Sequence, residues 1–408
     1  MKRFSMLKNS GPGALIAAAF IGPGTVTICS IAGAQFGFSL LWALLLSVVA
    51  TIVLQEMSAR LGLIAKKGLA EAIRASISNK ILRNFIVILM ISAIIIGNSA
   101  YQAGNISGGI LGLSSFIPVW DIAIAENTYN LWPLSIGVIA FTFLYVGSYK
   151  FLERVLVIFV LLMSLSFSIA ALLTNPNWSQ ILQGSFIPQF PEGSLLMIIG
   201  LIGTTVVPYN LFLHASLVQE KWQTSSDLPA VRRDSRRSIL LGGFVSMSII
   251  ITAAAIPNPN ISSITDLAAG LKPVYGASAG YFLGIGLFAA GISSALTAPL
   301  AAAYVAQGCF GWKKDLKDRN SRLIWSLVLV SGVLFAIIGK SPLEIIKFAQ
   351  ISNGVLLPIV ALMLIWIMNK KSLMGKFVNS KFQNISGSLI ILIVIGLSIK
   401  MFYAVLFQ

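Results

Sequence analysis

FIGPGTVTIC at residues 20–29 and GTTVVPYNLFLH at residues 203–214 decide how this chain is read. Each is an apolar segment interrupted by proline. In the first, Pro23 sits between Gly22 and Gly24; in the second, Pro208 is followed by Tyr209 and Asn210. Proline removes a helix hydrogen bond, and glycine tolerates dihedrals that other residues avoid. Interrupted backbone persists inside a bilayer only where it is buried or lines a cavity. Two such interruptions, at matching places in two halves of a chain, mark a midplane substrate site in an inverted-repeat transporter.

The surrounding composition supports a membrane setting. Of 408 residues, 57% are hydrophobic and 10% charged, against about 25% charged in ordinary soluble chains. Runs of about 20 apolar residues, each long enough to span as a helix, recur along the sequence. The short alternating segments of a β-barrel do not. The expected spans are 12–36, 40–63, 84–112, 132–147, 152–174, 194–218, 238–257, 276–308, 323–340, 345–368 and 386–407. The fourth is short and has room to recruit residues before Trp132. The fold class expected is all-α and integral to the membrane, one domain over 1–408. Repeat one covers about 12–174 and repeat two about 194–368, with an extra span at about 386–407.

Charge orients the chain. With a cytoplasmic N-terminus, the inner segments hold 25 of the 29 Lys and Arg residues, leaving Lys272, Lys340, Lys347 and Lys400 on the outer side. This is the positive-inside pattern. It predicts a multi-pass protein of the plasma (inner) membrane with its C-terminus outside. The net charge of +16 is parcelled into short juxtamembrane loops, which suits anionic lipid and not nucleic acid. Lys2, Arg3 and Lys8 before an apolar stretch imitate a signal peptide, but the stretch is long and lacks a cleavage site, so it is taken as the first span. Cys29 and Cys309 both fall in spans and are read as packing residues. The expected partners are the lipid bilayer and a small inorganic ion or solute, with the protein a monomer.

Several polar residues lie at membrane depth: Asn98, Ser99, Tyr101, Gln102 and Asn105 in span three, Ser293, Ser294 and Thr297 in span eight, and Gln350, Ser352 and Asn353 in span ten. Helix–helix hydrogen bonding is the plain reading of most of them. His214 is the only histidine, either a satisfied packing residue or a proton carrier. No Asp or Glu is found at midplane depth. Glu56 and Glu153 lie toward the inner ends of spans, and Asp121, Glu126, Glu192 and Asp266 in outer loops. There is no Ser–His–Asp set, no HExxH and no standard zinc constellation, so an enzyme is not expected, nor a cofactor.

At these residues the sequence resembles the Nramp family of divalent metal-ion transporters. Residues 11–42, GPGALIAAAFIGPGTVTICSIAGAQFGFSLLW, follow the family's GPG…DPGN…GSQFGY…LLW pattern, and residues 203–219, GTTVVPYNLFLHASLVQ, resemble its GATVMPHNLYLHSSLVQ signature. ARLGLIAKKGLAEAIR (59–74) and AAGISSALTAPLAAAYVAQGCFG (289–311) resemble the loop after span two and span eight, and Gln350 with Pro358 matches span ten. The resemblance implies a LeuT-type fold of ten spans in a 5+5 inverted repeat, here plus one, with spans one and six broken at Pro23, Gly24, Pro208 and Asn210. It also implies a substrate site of Gly22, Thr25, Thr204, Val207, Tyr209 and Gln350.

The departures sit in that site. Gly22 and Thr25 replace the family's metal-binding Asp and Asn, Val207 replaces a Met, and Tyr209 replaces a His. Asn98 and Tyr101 stand where the family's span-three acids are associated with proton movement. With no carboxylate, the favoured expectation is a small inorganic anion such as bicarbonate, accepted by amides freed near Gly24 and Asn210, in place of proton-coupled transition-metal uptake. The alternative is a divalent metal ion, largely hydrated Mg²⁺ or Mn²⁺; a further one is a small neutral solute. The coupling ion stays open: the candidate residues are His214, Asn98 and Tyr101 for protons, which the lack of intramembrane acids disfavours, and Ser293, Ser294 and Thr297 for Na⁺.

Overall fold

The computed structural model describes residues 21–407, apart from 119, 125, 126, 148, 149, 314 and 340. The first half of span one, with Lys2, Arg3 and Lys8, therefore lies outside the described residues, as do Glu126 and Lys340.

Helix α1 spans Pro23–Phe36. Gly22 precedes it in extended backbone (φ −112°, ψ −174°), and Pro23 occupies the first helical position, where a missing N–H costs nothing. The helix stops at Gly37, φ 57°, a left-handed value that favours glycine. Helices α2 (Leu41–Ala65) and α3 (Leu69–Ala75) lead to α4 (Lys80–Leu113), whose N-cap Asn79 accepts from the amides of Ile81 and Leu82 at 2.9 and 3.0 Å. A two-stranded antiparallel hairpin follows, β1 (Asp121–Ile124) against β2 (Asn127–Asn130), with Asp121 opposite Asn130. It is the one departure from an all-helical chain among the described residues. It also settles span four: α5 is Trp132–Val146 and gains nothing upstream, because the hairpin occupies that chain. At 15 residues it reaches about 22 Å.

The remaining elements are α6 (Lys150–Leu173), α7 (Trp178–Phe186), α8 (Leu195–Thr205), α9 (Pro208–Lys221), α10 (Leu228–Ala253), short turns between 264 and 278, α11 (Ala279–Phe310), α12 (Arg319–Ile338), α13 (Pro342–Met368) and α14 (Lys381–Phe407). Among the described residues nine helices, counting α8 and α9 as one, are long and apolar enough to cross a membrane; α5 and the described half of span one bring the total to eleven.

The interior is built around α4, which packs on α11, α12 and α13. Small residues permit this: a Cβ on Gly112 would overlap the backbone of α11 at Gly284 and Phe288, one on Gly104 would press on Ala349, and one on Gly108 would collide with Pro23. Close approach through small residues is how helices associate where lipid is as apolar as leucine. Polar side chains then fasten the pair. Pro299 lies inside α11 and has no N–H for the carbonyl four residues back, that of Ala295. Gln102 Nε2 donates to that carbonyl at 3.0 Å, and Asn98 Nδ2 donates to the Ala298 carbonyl at 2.9 Å.

Gln102→Leu is therefore expected to lower stability by about 1–2 kcal/mol, seen as a reduced midpoint of thermal unfolding in detergent. In a Pro299→Ala background the same change is expected to cost less, because the restored amide serves the Ala295 carbonyl. Equal losses in both backgrounds would refute the assignment.

Candidate functional site

The second interruption is a true break. Helix α8 ends at Thr205, Val206 and Val207 are non-helical (φ −96°, ψ 75° and φ −77°, ψ 120°), and α9 starts at Pro208. Pro208 cannot donate to the Thr204 carbonyl. The last carbonyls of α8 carry partial negative charge, and the first amides of α9 partial positive charge. Asn210 is not itself a break residue, contrary to expectation: it lies in the first turn of α9, its amide on the Val207 carbonyl at 3.0 Å. Gly24 likewise lies inside the first turn of α1, downstream of the extended Gly22.

Three helices meet here. The Thr25 and Thr204 hydroxyls are 2.8 Å apart and buried, joining α1 to α8. Gln350 of α13 lies over Gly24, where a Cβ would run into its side-chain amide. Gly203 brings α8 against the Gln350 carbonyl and the Gly354 amide, with no room for a Cβ. The Gln350 Oε1 and both amide atoms of Asn210 are buried without a hydrogen-bond partner. Leaving such a group unsatisfied costs about 1–3 kcal/mol, so each is a strong candidate to meet a polar ligand. Val207 is wholly buried and offers no donor atom. The Tyr209 ring packs edge-on against Tyr101 at 5.3 Å, its buried hydroxyl beside Thr297.

Other expected site residues are placed elsewhere. His214 is fully buried below the break, its Nδ1 2.8 Å from Gln55 Oε1 and its Nε2 3.3 Å from Ser235 Oγ. The Gln55 oxygen only accepts, so Nδ1 carries the proton and Nε2 accepts from the serine. Both ring nitrogens are thus occupied in the neutral form. Asn98 is engaged on α11, as described above. Thr297 Oγ1 donates to the Ser294 carbonyl at 3.1 Å, with Ser294 buried and Ser293 half-buried. Gln55 was not singled out from the sequence; a lone amide in span two carries little signal without its partner. Among the described residues no group of three His, Cys, Asp or Glu side chains is placed to hold a metal. The donors that gather at the break are neutral oxygens.

A family model described as Nramp, natural resistance-associated macrophage protein-like, matches residues 13–404. The chain belongs to the Nramp family. A divalent metal cation transporter MntH from Nostoc sp. is 30% identical, covering 96% of this chain and 90% of that relative. One of the same name from Yersinia pestis is 28% identical, covering 96% and 94%. Among solved structures, a variant of the Eremococcus coleocola manganese transporter superposes with a TM-score of 0.73 at 20% identity, over 97% of this chain and 87% of that one. MHP1, a nucleobase-cation-symport-1 family transporter, gives 0.55 at 14% identity, over 96% and 92%. The LeuT-type Nramp fold expected from the sequence is the one found.

The expected anion cargo is not. Nramp relatives matched over nearly the whole chain are named for divalent metal cations, and none of these findings supports bicarbonate. The expectation gave the freed amides of α1 and α9 more weight than the carbonyl end of α8, and equated loss of a carboxylate with loss of cation binding. The metal-ion alternative fits better.

The Thr25–Thr204 contact is testable by itself. Thr25→Val and Thr204→Val are each expected to destabilise the protein, and the double variant by less than their sum, with a coupling of about 1 kcal/mol in thermal unfolding. Additive losses would separate the two hydroxyls.

Proposed function

We propose that this Nramp protein carries a divalent metal cation across the membrane by alternating access, binding it at the break between α8 and α9. The observation that carries the reading is the meeting of the Thr25 and Thr204 hydroxyls, 2.8 Å apart, at the carbonyl end of α8. The ligands would be these hydroxyls, the carbonyl at Thr204 that Pro208 leaves without its helix partner, and Gln350 Oε1. Asn210 Oδ1 stands near enough in sequence to join them from the first turn of α9. All are neutral oxygens, the donors suited to hard cations. With Val207 in the wall, no thioether favours a soft metal. The roughly half negative charge of the α8 C-terminus offsets part of the ion's charge. A cation that keeps part of its water needs less from the protein, and Mg²⁺ and Mn²⁺ both answer that description.

The topology we propose has the basic loops and N-terminus in the cytoplasm, the C-terminus outside, and one monomeric domain in the plasma membrane.

Purified protein in liposomes is expected to admit Mn²⁺ and Mg²⁺ saturably, with soft Cd²⁺ at a disadvantage. Gln350→Ala removes one ligand to a charged ion, about 1.5–3 kcal/mol, and is expected to raise the half-saturating concentration roughly 10–100-fold. Gly22→Asp restores a carboxylate beside the break and is expected to lower it for Mn²⁺ by roughly tenfold or more. No cation entry, or entry indifferent to both changes, would sink the proposal. For topology, single cysteines in a Cys29→Ala, Cys309→Ala background serve as probes. Ser262→Cys is expected to react with an impermeant maleimide in intact cells, and Ser226→Cys only after permeabilisation.

A further inference from the structure

Away from the break, charge collects where α2, α10 and α14 meet. Both α10 and α14 pack on α2, and a cavity of about 540 Å³ opens at that corner. Arg60, Arg232, Arg236 and Lys376 line it with a single carboxylate, Glu56. That carboxylate is already fully used: it takes the Arg60 guanidinium at 3.0 and 3.1 Å, Arg232 at 2.8 Å and the Gln383 amide at 3.1 Å. Arg60 is 2% exposed and is further held by Asn379 Oδ1 at 2.8 Å and the Phe377 carbonyl. It is a fixed part of the floor. Arg232 and Arg236, by contrast, are exposed at the mouth, as is Lys376. Among the described residues no ion pair holds Arg236 or Lys376.

The cavity continues into apolar surface. Arg232, Arg236, Leu240 and Phe244 follow at four-residue intervals on one face of α10, and Leu240 and Phe244 are 50% and 59% exposed. On α14, Phe382 lines the cavity, and Ile385 and Leu389 extend its face, 68% and 56% exposed. Between them, α2 carries Ile52 in the cavity wall and Val49, 48% exposed, one turn nearer the membrane centre. A strongly basic head region thus leads into apolar stripes on three helices.

We infer that this corner is a binding site for an anionic glycerophospholipid, its phosphate at Arg232, Arg236 and Lys376 and its acyl chains along Val49, Leu240 and Ile385. Four cations against one engaged carboxylate select an anion; the apolar stripes select one that carries hydrocarbon. Basic pockets between helices at the cytoplasmic side take such headgroups, and the site rests on the orientation proposed above. The wall also contains Ser235, whose hydroxyl meets His214 Nε2, so the headgroup would sit one hydrogen bond from α9.

The full-length protein in detergent, titrated with phosphatidylglycerol or phosphatidylcholine and read by native mass spectrometry, tests this. Phosphatidylglycerol is expected to remain bound and phosphatidylcholine to be lost. The Arg232→Ala, Arg236→Ala, Lys376→Ala triple variant is expected to weaken retention roughly a hundredfold, at about fivefold per basic residue. A control triple at another inner loop, Lys313→Ala, Lys317→Ala, Arg319→Ala, removes equal charge and is expected to retain the lipid. Val49→Trp fills the apolar stripe and is expected to weaken retention while leaving thermal unfolding unchanged. Equal loss in both triple variants would reduce the effect to bulk charge and overturn the site. So would displacement by millimolar inorganic phosphate combined with indifference to Val49→Trp, which would mark a free-anion pocket instead.

Discussion

Pro208 has no N–H to give the Thr204 carbonyl, and that single missing bond organises the centre of this protein. In water the carbonyl would be hydrated. In a bilayer an unsatisfied backbone group costs several kcal/mol, and polar groups from other helices are gathered around this break. Thr25 arrives on α1, whose own start is fixed by Pro23. Gln350 arrives on α13, and it can do so only because Gly24 and Gly203 leave room beside it. The small residues at these crossings are thus consequences of the break. Each removes a Cβ that would hold the helices apart.

Much of this was legible in the sequence, because proline within an apolar run has few structural meanings. The position of the second break was read correctly, and so were the long spans. Asn210 was misplaced by two residues, since a helix can restart at the proline itself and Asn210 falls within its first turn. The polar residues of α4 were visible as a group, yet their partners were not. Pro299 creates the demand that Gln102 meets, but the two are far apart in sequence and nothing local links them. The hairpin at 121–130 escaped notice because its strands are only four residues each, too short for alternation to show. The cargo was misread for an electrostatic reason. A broken helix exposes an acceptor end and a donor end together, and sequence alone gives no measure of which one the neighbouring side chains reinforce. The Thr25 hydroxyl, 2.8 Å from that of Thr204, sets a further oxygen at the acceptor end.

Charge is segregated with equal clarity. At the break the gathered side chains are uncharged, whereas the C-terminal half of α2 and the first turns of α10 carry a dense ion-pair cluster around Glu56. Burying Arg60 to 2% exposure is tolerable because its guanidinium meets a carboxylate, an amide oxygen and a backbone carbonyl at once. A buried cation with fewer partners would be strongly destabilising. The same bonds tie α2 to the 377–379 segment and so fix where α14 begins.

The paired bonds from Gln102 and Asn98 to α11 have a mechanical meaning. They anchor two carbonyls, Ala295 and Ala298, nearly one turn apart. Sliding α4 past α11 by a helical turn, about 5.4 Å, would break both at once and strand a proline-freed carbonyl in an apolar interior. Helices α4 and α11 are therefore held in register. The seam between α1 and α8 has a different make-up: one polar link, between the Thr25 and Thr204 hydroxyls, beside apolar packing such as Ile28 against Gly200.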